Sequence, residues 1–329
     1  MRRTSLCVHS ERENSMTLNI EEKLDQAQLP IEEKIAQLKA EKDAVILAHY
    51  YVPAEVQAIA DHVGDSYALA KIATAAPQKV ICFAGVSFMG ESAKVLNPEK
   101  TVLMPDITAD CPMAHMVTPQ EILDMRAKYD DLAVVCYINS MAEIKQYADV
   151  CVTSSNAVKI VSALPQKNIF FIPDRNLGQF LAAKMPEKNF IFNEGHCPVH
   201  VRIKESHILD AKAAHPGLKV LAHPECTPDV LQHADYIGST AGIIDFASAS
   251  ADMEFIIATE TGVFYELEKR NPGKKFYPVM DQQLCEGMKK VTLEKIAAAL
   301  ETMSPAMELS DDEISKSNAP LQKMLELAK

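Results

Sequence analysis

The sequence predicts an α/β protein made of three homologous α/β/α units, each with a parallel sheet between helices. Three segments open with similar apolar runs: AVILAHYY (44–51), LAVVCYIN (132–139) and LKVLAHPE (218–225). The second begins 88 residues after the first, and the third begins 86 residues after the second. Each run is continuous rather than alternating, which is typical of strands in parallel sheets that helices cover on both faces.

The same two offsets align further columns of residues. The aligned columns are His49, Tyr137 and His223; Tyr51, Asn139 and Glu225; Val56, Ile144 and Val230; Asp61, Asp149 and Asp235; and Ser66, Ser154 and Thr240. Self-similarity at a fixed period indicates a repeated structural unit. We therefore predict a pseudo-threefold arrangement of the units around one central active site.

Within each unit the elements follow in a fixed order after the first strand. In the first unit, Val56, Ile59, Ala60 and Val63 have the spacing of an amphipathic helix, and Pro53 lies near its start. A short strand comes next, followed by the aligned hydroxyl residue, which we expect at the N-cap of a second helix. A second clear strand and a third helix follow.

Turn signals then lead to a last strand in each unit. The turn signals are NPEK (97–100), MPEK (185–188) and NPGK (271–274). Proline and glycine mark such turns because they restrict or relax the backbone. The last strands are predicted at TVLMP (101–105), FIF (190–192) and FYPVM (276–280).

The repeat also defines the predicted domain boundaries. These are a disordered N-terminal extension (1–16), a first unit with leading helices (17–115), a second unit (116–201), a third unit (202–289) and a C-terminal helical segment (290–329). The leading helices should break near Pro30. The C-terminal segment should contain a helix, then an acidic SDDE loop, then a short helix.

The composition of the 329 residues excludes several classes of protein. The net charge of −12 argues against a nucleic-acid-binding surface. The sequence has no apolar run of about 18 residues, so no membrane span is expected. The polar, charged start lacks the apolar middle of a secretory signal, so we expect a cytoplasmic protein.

Three of the eight cysteines belong to the repeat, because each follows the last strand of a unit. They are Cys111, Cys197 and Cys285. By contrast, Cys82, Cys136 and Cys151 lie in apolar runs and should be core residues, and Cys226 has no partner in the repeat. Three thiolates with no fourth partner in register suggest either of two metal centres, and one is a [4Fe–4S] cluster, in which one iron would stay open. A zinc site would need a fourth ligand or a water molecule.

The motifs taken together resemble the quinolinate synthetase A family over about residues 17–300. They are LAHYY (47–51), GDS (64–66), YINS (137–140), ADVCVTSSNA (148–157), HPEC (223–226), GSTAG (238–242), DCPMA (110–114), GHCPVH (195–200) and LCEGMKKVTLEK (284–295). In two places the sequence departs from the usual pattern, with Tyr50 inside the first motif and Val52 directly after it. Neither departure removes a predicted functional residue.

The resemblance implies an activity and a cofactor. The family condenses iminoaspartate with dihydroxyacetone phosphate, with loss of phosphate and two waters, and forms quinolinate for NAD biosynthesis. It uses a [4Fe–4S] cluster on three cysteines, which here would be Cys111, Cys197 and Cys285. A functional link to L-aspartate oxidase is also implied.

With this resemblance, we assign expected roles to the aligned polar residues. They lie at the carboxyl ends of the predicted strands, where α/β sheets bind ligands. Glu225 is the candidate general base. Tyr51 is expected to act as an acid or to orient a hydroxyl group. His49 and His223 suit a proton relay or carboxylate binding.

Hydroxyl and amide side chains complete the predicted substrate site. The residues expected to bind phosphate and carboxylate oxygens are Ser66, Tyr137, Asn139, Ser154, Ser239 and Thr240. The hydroxyl residues should lie at helix N-termini, which favour anions. His196 and His200, on either side of Cys197, are interpreted as structural or as support for the cysteine.

Other readings of the same residues remain open. A different [4Fe–4S]-dependent hydro-lyase would use the same polar groups. A cluster-bearing redox sensor would need a fully ligated cluster and no polar cavity. A structural zinc protein would need a fourth ligand in register.

Overall fold

The computed structural model describes residues 29–329. The predicted N-terminal extension and the start of the leading helical region lie outside the described residues. A leading helix, α1 (Ile31–Glu41), begins directly after Pro30, where a break was predicted. The described chain then forms three parallel four-stranded sheets with flanking helices.

The three units have the same order of elements. The first contains α1, β1 (Ala44–His49), α2 (Ala54–Ile59), β2 (His62–Gly64), α3 (Ser66–Ala75), β3 (Val80–Ala84), α4 (Ser87–Leu96) and β4 (Thr101–Leu103). The second contains α5 (Pro119–Lys128), β5 (Leu132–Tyr137), α6 (Ala142–Lys145), β6 (Val150–Val152), α7 (Ala157–Ala163), β7 (Asn168–Ile172), α8 (Arg175–Lys184) and β8 (Asn189–Phe192). The predicted α/β fold with three repeated units is therefore confirmed.

The third unit and the C-terminal segment complete the described chain. They contain α9 (Glu205–Ala214), β9 (Lys219–Ala222), α10 (Pro228–Leu231), β10 (Tyr236–Ile237), α11 (Thr240–Ala249), β11 (Glu254–Ala258), α12 (Val263–Arg270), β12 (Lys275–Pro278), α13 (Glu286–Lys289), α14 (Leu293–Thr302) and α15 (Asp311–Leu327). In each sheet the unit's first strand lies between its second and third strands, and the fourth strand lies at the edge. All pairings within the sheets are parallel, and β1 and β5 are buried along their whole length.

The aligned aspartates explain why the helix after the first strand of each unit is short. The carboxylates of Asp61, Asp149 and Asp235 accept the backbone N–H of Ile46, Val134 and Val220, respectively, at 2.7–2.8 Å. These bonds tie the chain after the helix to the unit's first strand. The predicted helix over residues 56–63 was therefore wrong at its end, since α2 stops at Ile59 and residue 63 belongs to β2.

A second contact is also repeated in all three units. The lysine of each predicted turn signal donates to two backbone carbonyls near the end of the helix that follows the unit's second strand. The pairs of acceptors are Ala73 and Ala76 for Lys100, Leu164 and Gln166 for Lys188, and Ala247 and Ser250 for Lys274. A cation there compensates the negative end of the helix dipole.

The prediction that the aligned hydroxyl residues are N-caps was wrong. Ser66 and Thr240 are the first helical residues of α3 and α11. The caps are Asp65 and Ser239, whose side chains accept backbone N–H groups three residues on. Ser154 lies in the turn before α7. Because their neighbours do the capping, the hydroxyls of Ser66 and Thr240 are left for other contacts.

The acidic SDDE segment does not form a loop. Ser310 and Glu313 form a reciprocal capping box that starts α15, and this helix has 17 residues rather than being short. Such a box satisfies two backbone donors at once. One face of α15 packs against α4 of the first unit and α6 and β6 of the second, so the helix joins two units. In residues 29–329, no helix combines the length and apolar character needed to cross a membrane.

Candidate active site

The carboxyl ends of the three sheets face one central cavity. All predicted site residues except Ser239 line it: His49, Tyr51, Ser66, Cys111, Tyr137, Asn139, Ser154, Cys197, His223, Glu225, Thr240 and Cys285. Ser239 is engaged in capping α11 and lines a neighbouring opening, which it shares with Asp65 and Tyr236. The repeat therefore brings residues from three distant segments into one site.

The three repeat cysteines form a partition between two cavities. Cys111, Cys197 and Cys285 line both the central cavity, with a volume of about 60 Å³, and an outer one of about 460 Å³. Residues that line only the outer cavity include Arg202 and Lys290. The narrow inner space suits small molecules.

The remaining described cysteines have a different environment. Cys82, Cys136 and Cys151 are fully buried in strands β3, β5 and β6, which confirms that they are core residues. Cys226 is also fully buried, and its thiol donates to the carbonyl of Ala258. Only the repeat cysteines line the two cavities, so the described residues offer one set of three converging thiols.

The chemistry of this set fits a metal centre bound through thiolates. Burial raises the pKa of all three thiols, and negative neighbours raise it further. They are therefore protonated when no cation compensates them, and bound metal would displace the protons. The Cys197 Sγ atom also lies in a group with a His200 nitrogen and a Glu225 oxygen, all within 4.8 Å of one another. These three atoms are a second group of possible metal ligands on the same side of the cavity.

Glu225 is a buried acidic residue that lines the cavity. Its Oε2 atom lies 2.8 Å from Nδ1 of His200 and 3.5 Å from Nδ1 of His223. Its Oε1 atom is buried and has no hydrogen-bond partner among the described residues. Burial opposes ionisation, but His223, His200 and hydrogen bonds from His200 and Tyr137 outweigh it and lower the pKa of Glu225. The side chain is therefore a carboxylate with one oxygen available to a ligand.

His49 and His223 are held in the same way in two different units. The Nδ1 atom of each accepts the backbone N–H two residues further on, from Tyr51 at 3.2 Å and from Glu225 at 3.4 Å. This leaves the proton on Nε2, and Nε2 of His223 lies 3.2 Å from the Ser154 hydroxyl. Burial, partly offset by Glu225, lowers the pKa of both histidines to about 3. Both rings are thus neutral N–H donors at neutral pH.

Tyr51 connects the first unit to the third. Its hydroxyl lies 2.8 Å from Thr240 Oγ1 and 2.9 Å from Thr259 Oγ1. Burial, together with the negative charge of Glu225, raises the pKa of Tyr51 well above its ordinary value. The phenol therefore remains protonated, as a donor or weak acid.

Two further groups in the cavity lack partners. The buried Oδ1 atom of Asn139 and the buried hydroxyl of Thr153 have no hydrogen bond among the described residues. Tyr137, beside Asn139, is buried, and its pKa is raised by burial and by Glu225. Unpaired buried polar atoms are costly, so these groups are positioned for a polar ligand.

Sequence reasoning gave too little weight to two residues of this network. His200 is fully buried and lies 3.1 Å from the Cys197 sulfur and 2.9 Å from the Thr259 hydroxyl. The sequence did contain a signal for His200, because it follows Cys197 by three residues, and in the structure it starts a short 3₁₀ helix. Thr259 gave no signal, because Gly85 and Pro173 occupy its column in the other units.

Comparisons with known proteins agree with the geometry. The family profile described as Quinolinate synthetase A protein matches residues 33–326. A quinolinate synthase of Fusobacterium nucleatum is 54% identical over 298 residues, which cover 91% of this chain and 99% of that protein. A quinolinate synthase of Caldicellulosiruptor bescii is 48% identical over 90% of this chain and 98% of its own length, and one of Clostridioides difficile is 46% identical over 90% and 97%. With its three repeated units and this match over nearly all described residues, the chain belongs to the quinolinate synthetase A family.

Proposed function

We propose that the central cavity condenses iminoaspartate with dihydroxyacetone phosphate, with loss of phosphate and two waters, to give quinolinate. Membership of the family assigns the chain to quinolinate synthesis in NAD biosynthesis. The observation that carries the proposal is the convergence of three repeated strand ends on one cavity, with thiols on one wall and neutral donors on the others. The need for iminoaspartate implies a functional link to L-aspartate oxidase in the cytoplasm.

We propose that Cys111, Cys197 and Cys285 hold a [4Fe–4S] cluster in which one iron is not bound by a cysteine. When bound, such a centre supplies a Lewis acid for a substrate hydroxyl or carboxylate. The proposal is supported by the fact that these three thiols, and no others among the seven described cysteines, line the cavity. Cys226 has no place in this set, because its thiol is buried in the third unit and does not line the cavity.

Glu225 has the features of a general base. It is ionised, one oxygen is held by the His200 ring, and the other is unpaired and buried. A buried carboxylate with an unpaired oxygen can accept a proton from a substrate C–H or N–H that lies against that oxygen. His200 would orient this carboxylate through its Nδ1 atom.

The two neutral histidines and Tyr51 would act as donors. The Nε2–H groups of His49 and His223 suit the carboxylates of iminoaspartate, since a neutral donor binds an anion without itself requiring compensation. The phenol of Tyr51, held by two threonine hydroxyls, suits protonation of a leaving hydroxyl group.

The phosphate of dihydroxyacetone phosphate would bind at the starts of α3 and α11. Ser66 and Thr240 are the first residues of these helices and line the cavity, with backbone N–H groups and the positive end of the helix dipole behind them. Tyr137, Asn139 and Ser154 would complete the polar contacts. This explains how an acidic protein binds an anion without a basic patch.

A product assay tests the proposal. Protein purified without oxygen and carrying about four irons per chain should form quinolinate from iminoaspartate and dihydroxyacetone phosphate. Absence of quinolinate from such a sample would contradict the proposed reaction and favour another cluster-dependent hydro-lyase. A fully ligated cluster that only exchanges electrons would instead favour a redox sensor.

Cysteine variants test the ligands separately. Cys111→Ala, Cys197→Ala and Cys285→Ala should each lose the visible absorption of the cluster. Cys136→Ala and Cys151→Ala are matched controls in the sheet of the second unit and should retain it. If Cys285→Ala keeps its full iron content, the ligand assignment is wrong.

A further inference from the structure

One repeat column outside the predicted site lies directly behind the cysteines. Val86, Asp174 and Glu260 are separated by 88 and 86 residues, the offsets of the repeat, and each comes two residues after the third strand of its unit. Two of the three positions carry a carboxylate, and both carboxylates are fully buried. Burial of a carboxyl group is costly unless several donors compensate it, so the contacts of these groups must account for their presence.

Asp174 connects a helix start to the cysteine of the second unit. Its Oδ1 atom accepts the backbone N–H of Leu177 at 2.7 Å and so caps α8. Its Oδ2 atom accepts the backbone N–H of Cys197 at 3.0 Å. The carboxylate therefore fixes the main chain of the cysteine against a rigid element.

Glu260 makes the corresponding contacts in the third unit. Its Oε1 atom accepts the backbone N–H of Cys285 at 3.0 Å and lies 2.8 Å from the ammonium of Lys289. Its Oε2 atom accepts the N–H of Gly262 at 2.6 Å. Lys289 also donates to the carbonyl of Tyr51, so this anchor is joined to the main chain of a substrate-side residue.

The first unit lacks such an anchor. Val86 caps nothing through its side chain and has no acceptor for the N–H of Cys111. That N–H meets the carboxylate of the adjacent Asp110, which is 42% exposed and is held by Ser87 and His115. The three cysteines are thus fixed unequally. The backbones of Cys197 and Cys285 are bound by buried carboxylates from elsewhere in the sequence, whereas that of Cys111 is bound by the exposed carboxylate of the preceding residue.

We infer that Asp174 and Glu260 are positioning residues that hold Cys197 and Cys285 in place for the metal centre, and that Cys111 is the least firmly held of the three. This rests on the proposed ligation by these cysteines. Ligands that are fixed before binding lose less conformational freedom when metal binds, and supporting contacts commonly change metal affinity about 10- to 100-fold. Loss of an anchor should therefore speed release of iron.

Isosteric variants isolate this contribution. In Asp174→Asn and Glu260→Gln one acceptor oxygen becomes an NH₂ donor, which must face a backbone N–H and cannot accept from it. Asp235→Asn is the matched control, because the same change there removes a carboxylate that accepts a strand N–H far from the cysteines. Asp110→Asn tests the exposed contact of the first unit.

The measurement is the rate at which the holoenzyme releases iron to a ferrous chelator without oxygen, with iron per chain determined first. Asp174→Asn and Glu260→Gln should release iron about 10-fold faster than the unchanged protein, and Asp235→Asn should stay within about twofold. Asp110→Asn should have a smaller effect than either buried carboxylate. The electron paramagnetic resonance spectrum of the reduced centre should change in the two buried-site variants only.

Thermal unfolding of each variant separates this role from a general loss of stability. If Asp174→Asn and Glu260→Gln are folded at the assay temperature and release iron at the rate of the unchanged protein, the inference is wrong. If one of them does not fold, the other still decides the question, because the two carboxylates belong to different units. A protein that retains iron but forms no quinolinate would contradict the proposed reaction and leave this inference intact.

Discussion

The amino and carboxyl ends of the three sheets differ in how strictly they repeat. At the amino ends, all three units carry the same residue types with the same contacts: an aspartate bound to a strand N–H and a lysine bound to a helix end. At the carboxyl ends the aligned residues differ, as in Tyr51, Asn139 and Glu225. The repeated contacts build the scaffold, and the departures from the repeat provide the different groups that the reaction needs.

Replacement of Glu225 tests the carboxyl end most directly. Glu225→Gln keeps the shape but removes the anion, so we expect kcat to fall about 10³-fold, within the range for loss of a general base. The cluster should remain, because Glu225 is not among its proposed ligands. Steady-state rates and iron content measured on one sample check both points.

A normal rate for Glu225→Gln would show that the asymmetric column has no role in proton transfer. Loss of iron from this variant would instead indicate that Glu225 is a metal ligand, together with Cys197 and His200.

The two neutral histidines make the carboxyl end sensitive to acid. The pKa of His49 and His223 is about 3 in the folded protein against 6.5 when solvated, so the unfolded chain binds more protons between these values. Stability is therefore full above pH 6.5 and falls as the pH drops toward 3. At pH 5 the loss is about 2 kcal/mol for each histidine.

Urea unfolding at pH 8 and at pH 5 measures this effect. His49→Asn and His223→Asn retain an acceptor for the backbone N–H but cannot be protonated, and each should remove about half of the difference. An unchanged pH dependence in both variants would place the acid sensitivity elsewhere.

Tyr51→Phe should have an intermediate effect. The variant loses the two contacts with Thr240 and Thr259 and the proposed proton donor, while the ring still packs edge-on against His49. We expect kcat to fall about 10- to 100-fold, and loss of the two hydrogen bonds should lower the free energy of unfolding by about 1 to 2 kcal/mol. A change in KM alone would indicate a role in binding only.

The scaffold could be predicted from the sequence because a contact that occurs in every unit requires the same type of residue at the same position of each repeat. The columns of aspartates, hydroxyls and cysteines located the strand ends, and the strand ends located the cavity. The end of α2 was missed because apolar periodicity continued to Val63, whereas the Asp61 carboxylate draws that segment toward β1. The start of α15 was missed although Ser310 and Glu313 have the spacing of a capping box.

Residues of the site that break the repeat were harder to predict. Thr259 has no counterpart of its kind in the other units, and its importance comes only from its contacts with Tyr51 and His200. Asp174 and Glu260 align with Val86 in the first unit, so their column does not show one repeated type of side chain. Periodicity can identify positions where the units agree, but the partners of an individual buried side chain depend on three-dimensional packing.

Replacement of a scaffold lysine tests the amino end and should have the smallest effect. Lys188→Met keeps much of the apolar stem but removes the donor to the carbonyls of Leu164 and Gln166. Because the group is only partly buried and water can replace it, we expect a loss of about 1 kcal/mol in the free energy of unfolding. The kcat value and the iron content should not change, because the contact joins the Lys188 ammonium to backbone carbonyls at the opposite end of the sheet from the cavity. A fall in kcat without a fall in stability would show that the two ends of the sheets are coupled, and that the separation of scaffold from chemistry is incomplete.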